Sequence, residues 1–146
     1  MARWQIWTAL LMLVLAAGCG QGETGRGSAN SYQQEAEQFI GLALPGAAQQ
    51  VYTWRESGID TLYYVRFDCP PASAEAFVDG LGMAGELRDG FDPFGNEDGA
   101  ELPWWQPGGA TRFAGGSVAK PGKVYELLVD RSDAAVHRVY LRVYSL

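Results

Sequence analysis

A thiol and an imidazole are the first side chains to weigh, because together they supply a nucleophile and the base that activates it. Cys69 closes a run rich in Tyr, Val and Phe and stands just before Pro70-Pro71, where a helix start would lower a thiol pKa. His137 is the only histidine, and it shares the alternation of Val139 and Leu141. The catalytic reading is therefore a small hydrolase or thiol-dependent enzyme using Cys69 and His137. The plainer account makes Cys69 a small buried hydrophobe and His137 a satisfied core or edge imidazole. No carboxylate pair stands at convincing spacing on a regular element, so the balance favours a domain without catalysis. A single histidine also argues against a thiolate–imidazole metal site, and no cofactor is expected.

Binding chemistry is better represented. Leu102-Pro103-Trp104-Trp105-Gln106-Pro107 sets two adjacent indoles between prolines, and neither is cheap to leave in water. One of Trp104 and Trp105 is expected to plug the core edge, and the other to lie outside, ready to stack on a sugar, a peptide or another ring. A second candidate surface comes from strand alternation. Arg138, Tyr140, Arg142 and Tyr144 point one way while Val139, Leu141 and Val143 point the other, and Tyr64 and Arg66 alternate likewise against Tyr63, Val65 and Phe67. Glu126 is placed to face these arginines across a hairpin. The expected picture is a Tyr/Arg face open to water or to a partner, or a solvated sheet face held by ordinary cross-strand pairs.

Two other patterns fail on context. Gly80, Gly82 and Gly85 have the spacing of a dinucleotide-binding turn, but that turn needs a strand before it and a helix after it. Here a helix precedes and an acidic loop follows, so these glycines read as a helix end. The loop 86–101 carries Glu86, Asp89, Asp92, Glu97, Asp98 and Glu101. Read as a calcium loop, its first ligand falls on Phe94 and its closing glutamate on Trp105, so a solvated acidic loop is the better description.

The elements that must position these residues follow from periodicity. Tyr32, Ala36, Phe39, Ile40 and Ala43 predict a helix over 31–43, stopped by Pro45-Gly46. Strands are expected at 51–55 and 61–69. A second helix follows Pro70-Pro71, with Ser73 as N-cap and Ala76, Phe77, Leu81 and Met83 on its apolar side. Residues 87–109 read as a long irregular loop. Strands at 110–114, 123–130 and 136–144 close the chain, the last two joined by a hairpin at 131–133. The order α-β-β-α-β-β-β predicts an α+β fold: an antiparallel sheet of about five strands with two helices on one face.

The N-terminus supplies an address. Arg3 precedes an apolar run over 6–17, which closes in the small residues Ala16, Ala17 and Gly18 before Cys19. That is the pattern of a secretory signal, and the run is shorter than the roughly 20 residues a spanning helix needs. Leu15-Ala16-Ala17-Gly18-Cys19 resembles the lipobox of bacterial lipoproteins, although the place three before the cysteine is Ala16 where leucine is most typical. The resemblance implies a signal peptide at 1–18, cleavage before Cys19, and acyl chains on Cys19 that hold the protein to a membrane. A residue other than aspartate after that cysteine, here Gly20, implies the outer membrane where the cell has two.

Residues 19–31, with Gly20, Gly22, Gly25 and Gly27, read as lipidated cysteine and flexible tether, leaving 32–146 as one α+β domain. Lipidation of Cys19 leaves Cys69 without a partner for a disulfide. The net charge of −6 argues against nucleic acid and supplies no polybasic patch for lipid. These observations point to a lipid-anchored envelope protein with a non-catalytic binding or assembly domain, its partner an envelope protein or glycan.

Overall fold

The computed structural model describes residues 29–95, 99 and 101–146. The signal, Cys19 and most of the tether lie outside the described residues, as do Asn96, Glu97 and Asp98 of the acidic loop. Among the described residues, no helix is long and apolar enough to cross a membrane.

Helix α1 is Ala29–Ile40. It opens two residues before Ser31, within the expected tether, because Ala29 is the best of helix formers. It also ends earlier than expected. Gly41 takes the left-handed φ of +81° that L-residues avoid, and its N–H bonds Glu37 O at 2.8 Å. Gly41 therefore stops the helix before Pro45-Gly46, and Ala43 falls outside it. Glu37 then holds the exit, its Oε1 accepting from Leu44 N at 3.0 Å and Gln33 Nε2 at 2.9 Å.

Helix α2 is Pro71–Gly80. Pro70 is its N-cap and Ser73 lies inside the first turn, which corrects the expected Ser73 cap. A proline at the first helical position gives up an N–H that would have no partner there. The glycines end this helix as expected. Gly82 sits at φ +70°, its N–H bonds Asp79 O, and Met83 N–H reaches back to Val78 O at 3.0 Å, a Schellman closure.

The strands are β1 (Gln49–Ser57), β2 (Thr61–Cys69), β3 (Arg88–Asp89), β4 (Phe113–Lys120), β5 (Lys123–Asp130) and β6 (His137–Ser145). They form one six-stranded antiparallel sheet in the order β1-β2-β6-β5-β4-β3. The α-β-β-α-β-β-β succession therefore holds, with a two-residue strand added inside the expected loop. That loop also holds a 3₁₀ turn at Pro107–Gly109. The strand expected at 110–114 lies further on because Gly115 and Gly116 pair within β4 despite their weak strand preference. The link from β5 to β6 spans 131–136. Asp133 Oδ1 accepts there from Ala135 N at 2.7 Å, and Ser132 Oγ accepts from Thr111 N at 2.8 Å.

Both helices pack on the aliphatic face, where Val65, Phe67, Leu127, Val139 and Leu141 meet Ala36, Ile40, Phe77 and Leu81. The β4–β5 hairpin clamps both of them. Lys120 Nζ donates to Leu81 O at 2.5 Å, Lys123 Nζ donates to Phe39 O, and Tyr125 Oη donates to Ile40 O at 2.8 Å. Each lysine thus meets the negative end of one helix.

The opposite face is not open, which corrects the one-sided sheet expected from alternation. A second core of Tyr64, Phe94, Trp105, Leu128 and Tyr140 covers it, roofed by the loop after β3. Reaching that face requires the chain to wrap the β4 edge, and two glycines make room. A Cβ on Gly116 would lie 2.5 Å from Glu86 O, and one on Gly115 would lie 2.3 Å from Phe91 O. Gly116→Ala is expected to push the 86–93 segment off the edge and destabilise the domain by about 1–3 kcal/mol in urea unfolding.

Candidate functional site

The Tyr/Arg residues lie beneath the loop rather than in solvent. Tyr64, Tyr140 and Arg142 are buried, and Arg66 is largely covered. Tyr140 Oη donates to Gln106 O at 3.1 Å, and Arg66 Nη1 donates to Trp104 O at 3.1 Å, so this face pins the loop down. Its charges are answered internally. Glu126 does face Arg142, at 2.6 Å from Nε, and Arg138 grips Asp68 at 2.7 and 3.0 Å. The Asp68 hydrogen bond holds the Arg138 pKa above its ordinary value. Tyr144 is half-buried at the strand end, opposite Leu62. Tyr64, Tyr140, Arg142 and Arg66 are therefore interior and not a free surface, which corrects the expectation for them, whereas Arg138 and Tyr144 remain partly exposed. The interior wins because the loop supplies the apolar cover that lets a Tyr/Arg row leave water.

The two indoles part as expected, one in and one outward. Trp105 is 4 % exposed and is met edge-on by Tyr64, Phe94, Trp104 and Tyr140 at centroid distances of 5.0, 4.9, 6.0 and 5.2 Å. Gly99, at φ +73°, lies so close to this indole that a Cβ would sit 2.4 Å from its ring. Trp104 is half-buried. Its ring stacks on Tyr52 at 5.5 Å and 17°, and the Arg66 guanidinium lies 5.1 Å from the Tyr52 ring.

Tyr52 and Trp54 were not singled out from sequence. Their signal was present, because they alternate with Val51, Thr53 and Arg55 along β1 and so share one face. Trp54 is 50 % exposed and pairs across to Tyr64. On the helix side of the same strand, a groove of about 550 Å³ runs between Tyr32 and Glu35 of α1 and Thr53 and Arg55 of β1. The sheet edge at β1 thus carries exposed rings on both sides.

Cys69 and His137 are brought together. They are Cα partners in the β2–β6 register, and directly opposed residues share a face. Their chemistry nevertheless points away from a nucleophile. Burial first, then the Asp68 charge, pushes the Cys69 thiol pKa up. Burial first, then Arg131, pushes the His137 pKa down despite the opposing influence of Glu75. A reactive thiol needs the reverse, a thiolate beside an imidazolium. Cys69 is also buried in the helix-side core.

His137 alone of the two lines a pocket of about 200 Å³ beneath α2, with Glu75, Asp79, Asp89 and Arg131 among its other walls. Among the described residues, no group of three or more His, Cys, Asp or Glu side chains is placed to hold a metal ion. Two carboxylates of the acidic loop do local work: Asp92 Oδ1 accepts from Phe94 N at 2.9 Å, and Asp89 pairs with Arg131 at 3.4 Å. Comparison with known proteins finds no matching family model, no matching curated protein and no matching solved structure.

Two outcomes are expected from this geometry. Trp105→Ala should cost about 3–5 kcal/mol in denaturant unfolding, whereas Trp104→Ala, at a half-exposed ring, should cost less than about 2 kcal/mol. The lowered His137 pKa makes stability pH-dependent with a defined sign. Above its ordinary value of 6.5 the contribution is fully present. As pH falls below that value the unfolded imidazole takes a proton that the folded one refuses, and stability declines. Unfolding curves between pH 7.5 and 5, as nominal settings (about 1 unit either side of the imidazole range), should lose part of this slope in His137→Phe.

Proposed function

We propose that this chain is a lipid-anchored protein of the cell envelope whose domain binds, without catalysis, an extended segment of another envelope protein along the free edge of β1. The anchor rests on the Leu15-Ala16-Ala17-Gly18-Cys19 resemblance and on the glycine-rich stretch after it. Gly20 favours the outer membrane in a cell with two. The domain's role rests on one observation: Tyr52 and Trp54 stand exposed on a nine-residue edge strand whose outer side has no strand partner among the described residues.

Edge strands template pairing with other chains, and proteins usually blunt them with lysine, proline or a covering segment. β1 contains neither lysine nor proline, and its bulge lies at one end, between Gln49 and Tyr52, so 52–57 remain in regular register. A strand added there would satisfy the outer backbone groups. Alternate side chains of the added strand would meet Trp54 and Tyr52 on one side and the Tyr32 groove on the other. Arg55 and Glu35 at that groove give the contact a polar rim. The opposed pKa directions of Cys69 and His137 favour binding over thiol catalysis.

The test uses the full-length protein in nonionic detergent with a photo-crosslinking residue in place of Thr53, exposed to envelope extract. A discrete protein should be captured, and Tyr52→Ala/Trp54→Ala should abolish its capture with little change in Tm. Capture that survives both substitutions, or that is competed away by purified envelope glycan, would overturn the strand-addition reading. Separately, Cys19→Ser should leave an uncut, unacylated precursor by mass spectrometry, and normal maturation would end the lipoprotein assignment.

A further inference from the structure

We infer that, while no envelope partner is bound, β1 pairs with β1 of a second copy of this chain, antiparallel and across a twofold axis at Trp54. Self-association then closes the edge that the partner must use. This rests on the reading of β1 as an edge that accepts a strand, and adds what regulates access to it. Its starting observation is the strand itself. Tyr52, Trp54, Arg55, Glu56 and Ser57 are exposed, whereas Val51 and Thr53 are half-buried. A closed twofold interface requires one patch to complement itself, and the sequence of β1 does so in one register.

Directly opposed residues of an antiparallel pair share a face. A twofold axis perpendicular to the sheet keeps each face on its own side, so it passes through a residue and not between two. The regular stretch of β1 is 52–57, bounded by the bulge between Gln49 and Tyr52. A centre at Tyr52 or Thr53 runs the pairing into the bulge, and one at Ser57 runs it off the strand end. A centre at Arg55 or Glu56 sets like charges directly opposite, which is destabilising. Centred on Trp54, the whole of 52–56 pairs. Trp54 meets Trp54 of the second copy, Thr53 meets its Arg55, and Tyr52 meets its Glu56. No like charges are directly opposed, and an indole 50 % exposed in one copy is covered by its own counterpart. Aromatic cross-strand pairs stabilise a sheet.

Charge on the helix side favours the same register. The groove of about 550 Å³ has Thr53 and Arg55 on one wall and Tyr32 and Glu35 on the other. Arg55 of the second copy, standing opposite Thr53, is brought to the groove that carries Glu35. The symmetry repeats that opposite-charge contact in the other copy. On the roof side, Tyr52 is already stacked on Trp104 at 5.5 Å, so its ring loses little freedom when a strand arrives beside it. An edge occupied by a second copy has no backbone groups left for another strand. By mass action, the apparent affinity for the envelope partner falls as the concentration of this chain rises.

Sedimentation equilibrium of the full-length protein in nonionic micelles should show a dimer. Trp54→Lys, which sets two ammonium groups on the axis, should weaken it by roughly tenfold or more while the thermal transition stays cooperative. Single cysteines then read the register. A disulfide needs Cα atoms within roughly 7 Å, which direct opposition satisfies and a two-residue offset does not. Under mild oxidation Trp54→Cys alone should crosslink, and so should Thr53→Cys mixed with Arg55→Cys. Neither of those two should crosslink alone, and protein without an added cysteine gives the background. If Trp54→Lys does not fold, the cysteine series decides by itself. A monomer at the crosslinking concentration, an oligomer larger than a dimer, a dimer indifferent to Trp54→Lys, or Thr53→Cys and Arg55→Cys crosslinking as readily alone as mixed would each overturn the inference. A monomer whose Thr53 photo-crosslinker still captures an envelope protein would sink self-pairing and leave strand addition standing. A dimer with no capture from extract would do the reverse.

Discussion

The seating of Trp105 among Tyr64, Phe94 and Tyr140 is the constraint from which the rest of the loop side follows. An antiparallel sheet with two helices on one face ordinarily leaves its other face wet. Here β6 is buried along most of its length, because the indole and its neighbouring rings cover what the helices do not. Once that cover is in place, Tyr140 and Arg66 must find partners out of water, and they find them in the carbonyls of Gln106 and Trp104. Among the described residues the indole N–H has no hydrogen-bond partner, and ring packing is what holds the cluster there. Trp104 is pushed outward by the same geometry, since its neighbour has taken the interior place.

The helix side is organised by a different device. One hairpin, β4–β5, reaches the C-termini of both helices through Lys120 and Lys123. Each ammonium answers carbonyls that the helix cannot satisfy internally. The hairpin turn between them uses Gly122 at φ +76°, which keeps the two lysines close in sequence while their targets lie on separate helices. The hairpin therefore fastens both helix ends that Gly41 and Gly82 terminate.

These two layers leave the molecule asymmetric at its edges. At one side, the 86–93 segment wraps β4 across Gly115 and Gly116 and pairs as β3, so that edge is partly covered. At the other, β1 stands with exposed rings and no strand beyond it among the described residues. The proposed protein partner thus belongs to the uncovered end of the sheet. Strand register brings Cys69 and His137 together, and burial pushes the thiol pKa up and the imidazole pKa down, which favours the uncharged form of each.

Periodicity made much of this legible. Alternation in β2, β5 and β6 identified the core face, the glycines at 80–85 ended α2, and the separation of the two indoles followed from their size. Glu126 opposite Arg142 was visible for the same reason, since strand parity alone assigns a face. Parity does not say whether a face is covered. Tyr64, Tyr140 and Arg142 looked like a surface because nothing in their own strands revealed the loop above them. The strand through Gly115 and Gly116 was missed because local propensity speaks against glycine in a strand, whereas close backbone approach demands it. The Cys69–His137 register, the exposed edge at β1 and the pocket under α2 likewise depend on which strands become neighbours. Local sequence determines the type of each element and the side it offers, through short-range sterics and side-chain period. Only the tertiary structure decided which sides were buried, because burial is a property of what arrives from far along the chain.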